Sequence, residues 1–429
     1  MMLAAQPAHA STTFYVNSTG DKNDLDFPGG VFDGSLDGKC FTGDVLVVQG
    51  EECTLQAAIQ QANKTPGADT IEFDIPGTGV TTIAPASQLP TITGPVAING
   101  YSQPGSHPNT KAVGSDAILK VEFGGANEAS GTGLSIAAPN TIVKGLAINR
   151  RTYGIRIDGA DATGNRIAGN YIGTDATGTQ DLGNGYSGVF IYDASGNVIG
   201  GAEAAGRNVI SGNEQYGVPM NGQATVDNRI VGNYIGTDAT GTTDLGNQYF
   251  GVIAFQASKN NVGGTTAAAH NVVSGNAGSG VSIVGNDATG NRVLGNSMFS
   301  NGGLGIDLYD DGPTANDSGD ADTGANNPQN KPTLSSAKKR ATGTTTVRGT
   351  LNSTPDKTFN IQFFSNPKGT DEGKTLLGTQ SITTDGSANV SFTFSTTKPI
   401  GLGQNITATA TGPGGNTSEF SVPKQVVAS

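Results

Sequence analysis

Asp158, Arg156 and Asp307 all sit in or beside one kind of short phrase, a glycine followed by apolar-x-apolar. The phrase reads Gly154-Ile155-Arg156-Ile157 at one place and Gly305-Ile306-Asp307-Leu308 at another. If such phrases are strands, the residue between the two apolar ones faces outward. The outward column then reads Ser135, Arg156, Phe190, Pro219, Ile253, Ser282 and Asp307. The next reads Ala137, Asp158, Tyr192, Asn221, Phe255, Val284 and Tyr309. Aromatic rings on an extended face suit stacking on sugars, with Arg and Asp bonding hydroxyls. Phe190, Tyr192, Asn221, Phe255 and Tyr309 are therefore the expected carbohydrate-binding residues. Arg156, Asp158 and Asp307 are the expected catalytic ones if the face turns a polysaccharide over. A glycoside hydrolase needs two carboxylates across the bond, here drawn from Asp158, Asp193 and Asp307. A lyase needs a base and a cation for a uronate, and Lys144, Arg150, Arg151 and Arg156 form the basic cluster. The competing reading is that Phe190, Ile253 and Phe255 are covered by a loop or by the C-terminal module, and that the arginines are solvated surface charge.

A second chemistry lies between Asp307 and Asp322. Asp307, Asp310, Asp311, Asp317, Asp320 and Asp322 crowd one short segment. Carboxylates packed together repel, and calcium takes six to eight oxygens from such loops. Asp317, Asp320 and Asp322 are the expected metal ligands, with calcium as the cofactor; a solvated acidic loop is the alternative. Loops at Asp175, Asp181, Asp238 and Asp244 are weaker metal candidates. No G-x-S-x-G, P-loop, H-E-x-x-H or EF-hand pattern is present. Of the three histidines, His9, His107 and His270, a Ser-His-Asp arrangement would use His270, and His9 sits in the N-terminal leader.

The elements that position these residues follow from self-similarity. Gly164-Asn165-Arg166-Ile167-Ala168-Gly169-Asn170-Tyr171-Ile172-Gly173-Thr174-Asp175 returns 63 positions later, with Asn228, Arg229, Asn233 and Tyr234 in the matching places. A partial third copy starts at Asn291. Glycine-led phrases begin at Gly133, Gly154, Gly188, Gly217, Gly251, Gly280 and Gly305, so each 63-residue unit holds two turns of unequal length. Segments this short and alternating are strands rather than helices. One turn cannot bury its own apolar face, whereas stacked turns can. The expected fold is all-β: a right-handed parallel β-helix followed by an immunoglobulin-like β-sandwich. A β-propeller fits the spacings poorly. Asn165, Asn228, Asn291 and Asn170, Asn233, Asn296 read as internal hydrogen-bonded ladders at corners, where asparagine tolerates left-handed backbone.

The expected organisation is a truncated signal peptide at 1–10, ending in Ala8-His9-Ala10, an N-terminal cap with the first coils at 11–130, repeat β-helix at 131–327 and a sandwich at 333–429. The cap should be an amphipathic helix over Thr54–Asn63, covering strand edges that otherwise invite aggregation. Asp385-Gly386 reads as a hairpin turn. Cys40 and Cys53 would pair in an exported protein, adding about 2–3 kcal/mol; two buried thiols are the alternative. A net charge of −12 with pI about 4.6 makes nucleic acid a poor partner. No apolar run reaches the roughly 20 residues that span a bilayer.

Cys53-Thr54-Leu55-Gln56-Ala57-Ala58, the Gly-Asn-Tyr-Ile-Gly-Thr-Asp repeat and the passage from Gly305-Ile306-Asp307-Leu308 to Asp322 resemble the CSLREA-type bacterial secreted proteins, named for a Cys-Ser-Leu-Arg-Glu-Ala segment. Gln56 and Ala57 replace the Arg and Glu, so any charge pairing there is missing. The resemblance spans nearly the whole chain. It implies a right-handed β-helix and export, and little chemistry. The expected function is a secreted or cell-surface monomeric scaffold that binds extended polysaccharide or surface glycans. The alternative is a polysaccharide lyase or glycoside hydrolase working along the same face.

Overall fold

The computed structural model describes residues 11–25, 39–46, 50–124 and 131–429. The leader at 1–10 lies outside the described residues.

Three parallel sheets of nine, eight and seven strands run the length of the repeat region. Each coil contributes one short strand to each sheet, as Ile142–Lys144, Leu146–Asn149 and Tyr153–Asp158 do in one turn. The next coil places Arg166–Ala168, Tyr171–Ile172 and Ser187–Tyr192 beside them, all in parallel register. The glycine-led strands Ser187–Tyr192, Val218–Asn221 and Val252–Phe255 are lateral neighbours in one sheet, as the repeat requires. This is a parallel β-helix. Alternating residues turn inward, so Ile155, Ile157, Val189, Ile191, Val252 and Ile283 stack into one continuous apolar core.

The two unequal turns have a simple cause. One coil inserts a loop before its seven-stranded-sheet strand, at 173–186 and again at 236–249. The other inserts a short 3-10 turn one corner earlier, at Ala204–Gly206 and Ala267–Ala269.

Asparagine ladders run along the corners, but denser than the repeat alone suggests. The first is Asn165, Asn197, Asn228, Asn260, Asn291 and Asn326, each backbone N–H donating to the next amide oxygen at 2.9–3.1 Å. The second is Asn170, Asn208, Asn233, Asn271 and Asn296. A third, not anticipated, is Asn184, Asn213, Asn247, Asn276 and Asn301. Left-handed backbone is not what these residues supply. Of the ladder members only Asn326 has a positive φ, at 50°. Glycines beside them take the strained angles, and the amide itself is what asparagine contributes. The leading glycines are needed for close approach between coils. Gly154 and Gly188 need no left-handed φ. A Cβ there would meet the carbonyl of the next coil at 2.6 and 2.8 Å.

The helix is Leu55–Ala62, with Thr54 Oγ1 accepting from Ala57 N at 3.1 Å as the N-cap. It packs on the first strands of the nine-stranded sheet. Both of its faces are buried, unlike a simple amphipathic cap. Gln56 and Gln60 bond Asn23, and Gln61 bonds Asp24, so residues 22–24 roof the polar side. Cys53, beside the N-cap, forms a disulfide with Cys40.

The C-terminal strands form one seven-stranded sheet whose edge strands return into contact, giving an immunoglobulin-like near-barrel around Val347, Phe359, Phe363, Phe392 and Ile406. Asp385-Gly386 does turn the chain, with Asp385 Oδ1 accepting from Ser387 N and Asn389 N. It is not a hairpin. Thr375–Thr383 and Asn389–Thr396 stand at opposite edges of the sheet, the first paired with Thr358–Asn366 and the second with Thr345–Asn352. The module closes the open end of the β-helix. Met298 bridges Gly373, Gln362 accepts from Gly295 N, and Glu372 takes both nitrogens of Asn301, ending the third ladder. Burial pushes the Glu372 carboxyl up to about 7.

Candidate functional site

The middle of the outer surface of the eight-stranded sheet is covered. Tyr171 and Tyr234, the tyrosines of the repeated Asn-Tyr-Ile phrase, lie under a strap from the N-terminal region. Tyr171 Oη bonds Ser115, Gly114 N donates to Tyr234 Oη, and Arg207 holds the carbonyls of Lys111, Ala112 and Gly114.

The outer surface of the seven-stranded sheet carries a different arrangement. Tyr153 stacks on Phe190 with centroids 5.4 Å apart and planes at 15°. Tyr192 touches Phe190 at 5.9 Å, Tyr186 touches Tyr153 at 5.1 Å, and Tyr216 continues the path from Tyr186 at 5.6 Å. Phe250 and Tyr249 complete it, each 5.8 Å from Tyr216. Seven rings thus form one unbroken strip. The 173–186 and 236–249 insertions deliver Tyr186 and Tyr249 to it. Arg156 lies 5.7–6.0 Å from the rings of Tyr153, Phe190 and Tyr192 and pairs with Asp158 at 2.6 Å.

The expected residues are distributed unevenly over this face. Arg156, Asp158, Phe190 and Tyr192 come together. Phe190 is buried within the strip, while Tyr192 is 38% exposed. Asn221 pairs with Tyr192 on one side and Phe255 on the other, and Phe255 is 39% exposed. Tyr192 and Phe255 therefore stand two coils apart, about 9.5 Å from the strand spacing. Asp307 is not with them. It sits five strands from Asp158, about 24 Å away, well beyond the 6.5–9.5 Å that a paired hydrolase mechanism allows. It is 5% exposed, bonded by Ser279 at 3.3 Å, and burial with nearby Glu419 pushes its carboxyl up to about 6. Tyr309 also leaves the face. Its φ is +79° and its hydroxyl bonds Thr323 O, so it packs toward the core. Pro219, Ile253 and Ser282, expected to face solvent, are buried. Asp193 approaches Gly222 and Ala224 across the next corner.

Sequence reasoning missed Tyr153, Tyr186, Tyr216, Tyr249 and Phe250. A signal was present: Tyr153, Tyr216 and Phe250 each immediately precede a leading glycine. The bend at that glycine turns two consecutive positions toward the same side, which strict alternation does not anticipate.

Beside the strip an open cleft of about 640 Å³ is lined by Arg150, Arg151, Asp181, Glu214 and Gln248 among others. Arg150 pairs with Glu122 at 2.5 Å.

Asp317, Asp320 and Asp322 each bring a carboxylate oxygen within 4.8 Å of the others. Asp320 accepts from Gln329, Ser353 and Asn330 N, and burial pushes it up to about 6. Asp322 Oδ1 is buried without a hydrogen-bond partner among the described residues. An all-oxygen set with an unsatisfied acceptor fits a hard divalent cation. The Asp175 and Asp238 loops differ: their carboxylates close their own turns, taking Thr177, Thr179 and Gln180 in one copy and Thr240, Thr242 and Thr243 in the other. His270 packs against Gly295, and no seryl hydroxyl or carboxylate is bonded to it among the described residues.

No protein-family model and no curated protein matches the chain. Among solved structures it is similar to the full-length tailspike protein 2 of Escherichia coli O157:H7 bacteriophage CAB120. The identity is 9%, over 94% of this chain and 68% of that one, with a TM-score of 0.30. At that score the likeness carries no argument; the β-helix rests on the sheet topology above. Among the described residues no helix is long and apolar enough to cross a membrane.

Proposed function

We propose that the chain is an exported, CSLREA-type β-helix that binds extended polysaccharide along its seven-stranded face. The observation that carries this reading is the unbroken strip of seven rings, with Tyr192 and Tyr249 exposed at its two ends, while the tyrosines of the adjoining sheet are strapped over. Stacked rings present flat apolar surface, which sugar C–H faces match. Tyr192 and Phe255, two coils apart, match the length of two linked hexoses, so the glycan runs along the β-helix axis. The disulfide suits an oxidising compartment. The test is titration of the full chain with neutral oligosaccharides. Replacing Tyr192 and Phe255 together by alanine should weaken binding about fivefold to a hundredfold, at about 0.5–1.5 kcal/mol per ring contact, without moving the melting temperature. Unchanged affinity in that variant rejects the face.

The Arg156–Asp158 pair set against the rings favours a second reading, a lyase or hydrolase at that end of the strip. New reducing ends or unsaturated uronate absorbance, lost in Asp158→Ala, would identify it.

The ion at Asp317, Asp320 and Asp322 is calcium in this reading. Asp320 sits above its unfolded value, so the folded state holds an extra proton between about pH 4 and 6. Without a cation, stability falls as pH rises through that window; a cation offsets the fall. Calcium should therefore raise the melting temperature at pH 7 and do little near pH 4.5. No calcium or chelator effect at pH 7 removes the ion.

A further inference from the structure

We propose that Tyr192 carries the sugar-reading subsite of this face, where the Arg156–Asp158 pair and Asn221 flank its ring, and that the sugar read there is a neutral hexose. This rests on the glycan reading and deepens it: the strip of rings supplies grip, and one subsite supplies selectivity.

Strand register sets the arrangement. Asp158 pairs with Tyr192, Tyr192 with Asn221, Asn221 with Phe255 and Phe255 with Val284. Neighbouring coils lie about 4.8 Å apart, so Tyr192 has a polar side chain one coil away on each side. Phe255 has Asn221 on one side and the apolar Val284 on the other. Both rings are exposed, and of the two it is Tyr192 that lies between groups able to bond a stacked sugar's hydroxyls.

The repeat sharpens the contrast. Tyr153 and Tyr186 return 63 positions later as Tyr216 and Tyr249, and Tyr192 returns as Phe255. Arg156 and Asp158 do not return. Pro219 with Asn221, then Ser282 with Val284, take their places. Rings recur along the strip, while the charged pair occurs in one copy of three, at the end that carries Tyr192.

The pair is reachable and incompletely used. Its side chains are 34% and 40% exposed, and Arg156 Nη2 meets Asp158 Oδ2 at 2.6 Å. Among the described residues no hydrogen bond takes Asp158 Oδ1 or Arg156 Nη1. The guanidinium stands 6.0 Å from the centre of the Tyr192 ring. A carboxylate only accepts and a guanidinium only donates. Side by side, they bond two adjacent hydroxyls of one sugar, the first donating and the second accepting. Inverting either hydroxyl loses one of those bonds and leaves a charged group without its partner. Asp158 already meets the charge of Arg156, so the pair as a whole is neutral. A sugar carboxylate would be repelled by Asp158 and would have to displace it.

The experiment titrates the full chain with β-1,4-linked oligomers of glucose, mannose, galactose and glucuronate, all of equal length. The three neutral oligomers should spread over at least about tenfold in affinity, and the best of them should bind tighter than the glucuronate. Asp158→Ala should shrink that spread to about twofold and raise glucuronate affinity several-fold by freeing Arg156. Phe255→Ala should weaken the neutral oligomers alike and keep the spread. Equal binding of the three neutral oligomers, or a spread that survives Asp158→Ala, overturns the reading subsite and leaves the strip as a general platform. Glucuronate binding tightest to the unaltered chain overturns the neutral assignment. Glucuronate affinity unmoved in Asp158→Ala removes Arg156 from the subsite. Failure of every oligomer to bind overturns the glycan reading itself.

Discussion

Replacing Asn228 by alanine should cost about 3 kcal/mol or more of stability, read as a lower urea midpoint with an unchanged slope. Asn228 is fully buried at the middle of the first ladder. Its Oδ1 accepts from the backbone and side-chain nitrogens of Asn197 at 2.9 and 3.0 Å. Its Nδ2 donates to Ala194 O and to Asn260 Oδ1, both at 3.0 Å. Alanine removes every one of these bonds and leaves the Asn197 donors facing an apolar interior. Each buried group left unpaired costs about 1–3 kcal/mol. Aspartate is a useful companion substitution: it keeps the acceptor and loses the donor, and it buries a charge. It should be at least as damaging as alanine. A loss below about 1 kcal/mol for Asn228→Ala would mean that the ladder follows the fold rather than supporting it.

Gly236→Ala should be still more damaging, and Gly159→Ala shows why. Both glycines hold similar left-handed angles, +90° and +95°. For alanine that backbone costs roughly 1–2 kcal/mol. At Gly159 nothing lies within 4 Å of the added Cβ, so that cost stands alone. At Gly236 the Cβ would fall on Ser274 O of the next coil and against the Asn276 amide. Neither can yield without breaking a strand pairing or the third ladder. The expected loss at Gly236 is about 3–5 kcal/mol, the clash adding to the angle. Thermal or urea unfolding of the two variants side by side decides it. Equal losses would show that backbone angle, and not coil-to-coil approach, is what the position demands.

These two variants also mark what could be read in advance. The 63-residue repeat makes Asn165 and Asn228, or Gly173 and Gly236, equivalent, and equivalence under stacking already implies a ladder and a close approach. The same repeat relates Asn197 to Asn260, Asn208 to Asn271, Asn184 to Asn247 and Asn213 to Asn276, but it could not reveal that members of the two unequal coils join in one ladder. The phrases of the two coils differ in sequence although their corners coincide in space. Spacing identified the inward residues well, since a stripe such as Ile155, Ile157, Val189 and Ile191 must be enclosed by any stacked coil. Outward residues were less legible. Alternation states which way a side chain leaves a strand, and nothing about what then covers it. Pro219, Ile253 and Ser282 point away from the core and are buried all the same.

The sequence by itself determined the stacking of short strands, the enclosed apolar column, the capping helix and a separate sandwich, because each follows from a local periodicity of two or of 3.6 residues, or from a repeat. Tertiary structure alone decided which outward rings stay exposed. That depends on where the strap carrying Gly114 and Ser115 lies and where the insertions ending at Tyr186 and Tyr249 return, contacts between residues as many as 120 positions apart. No local pattern encodes such distances. It also decided that Asp307 and Tyr309 leave the face that carries Arg156, Asp158 and Tyr192, since that follows from what neighbouring coils and the C-terminal module place around them.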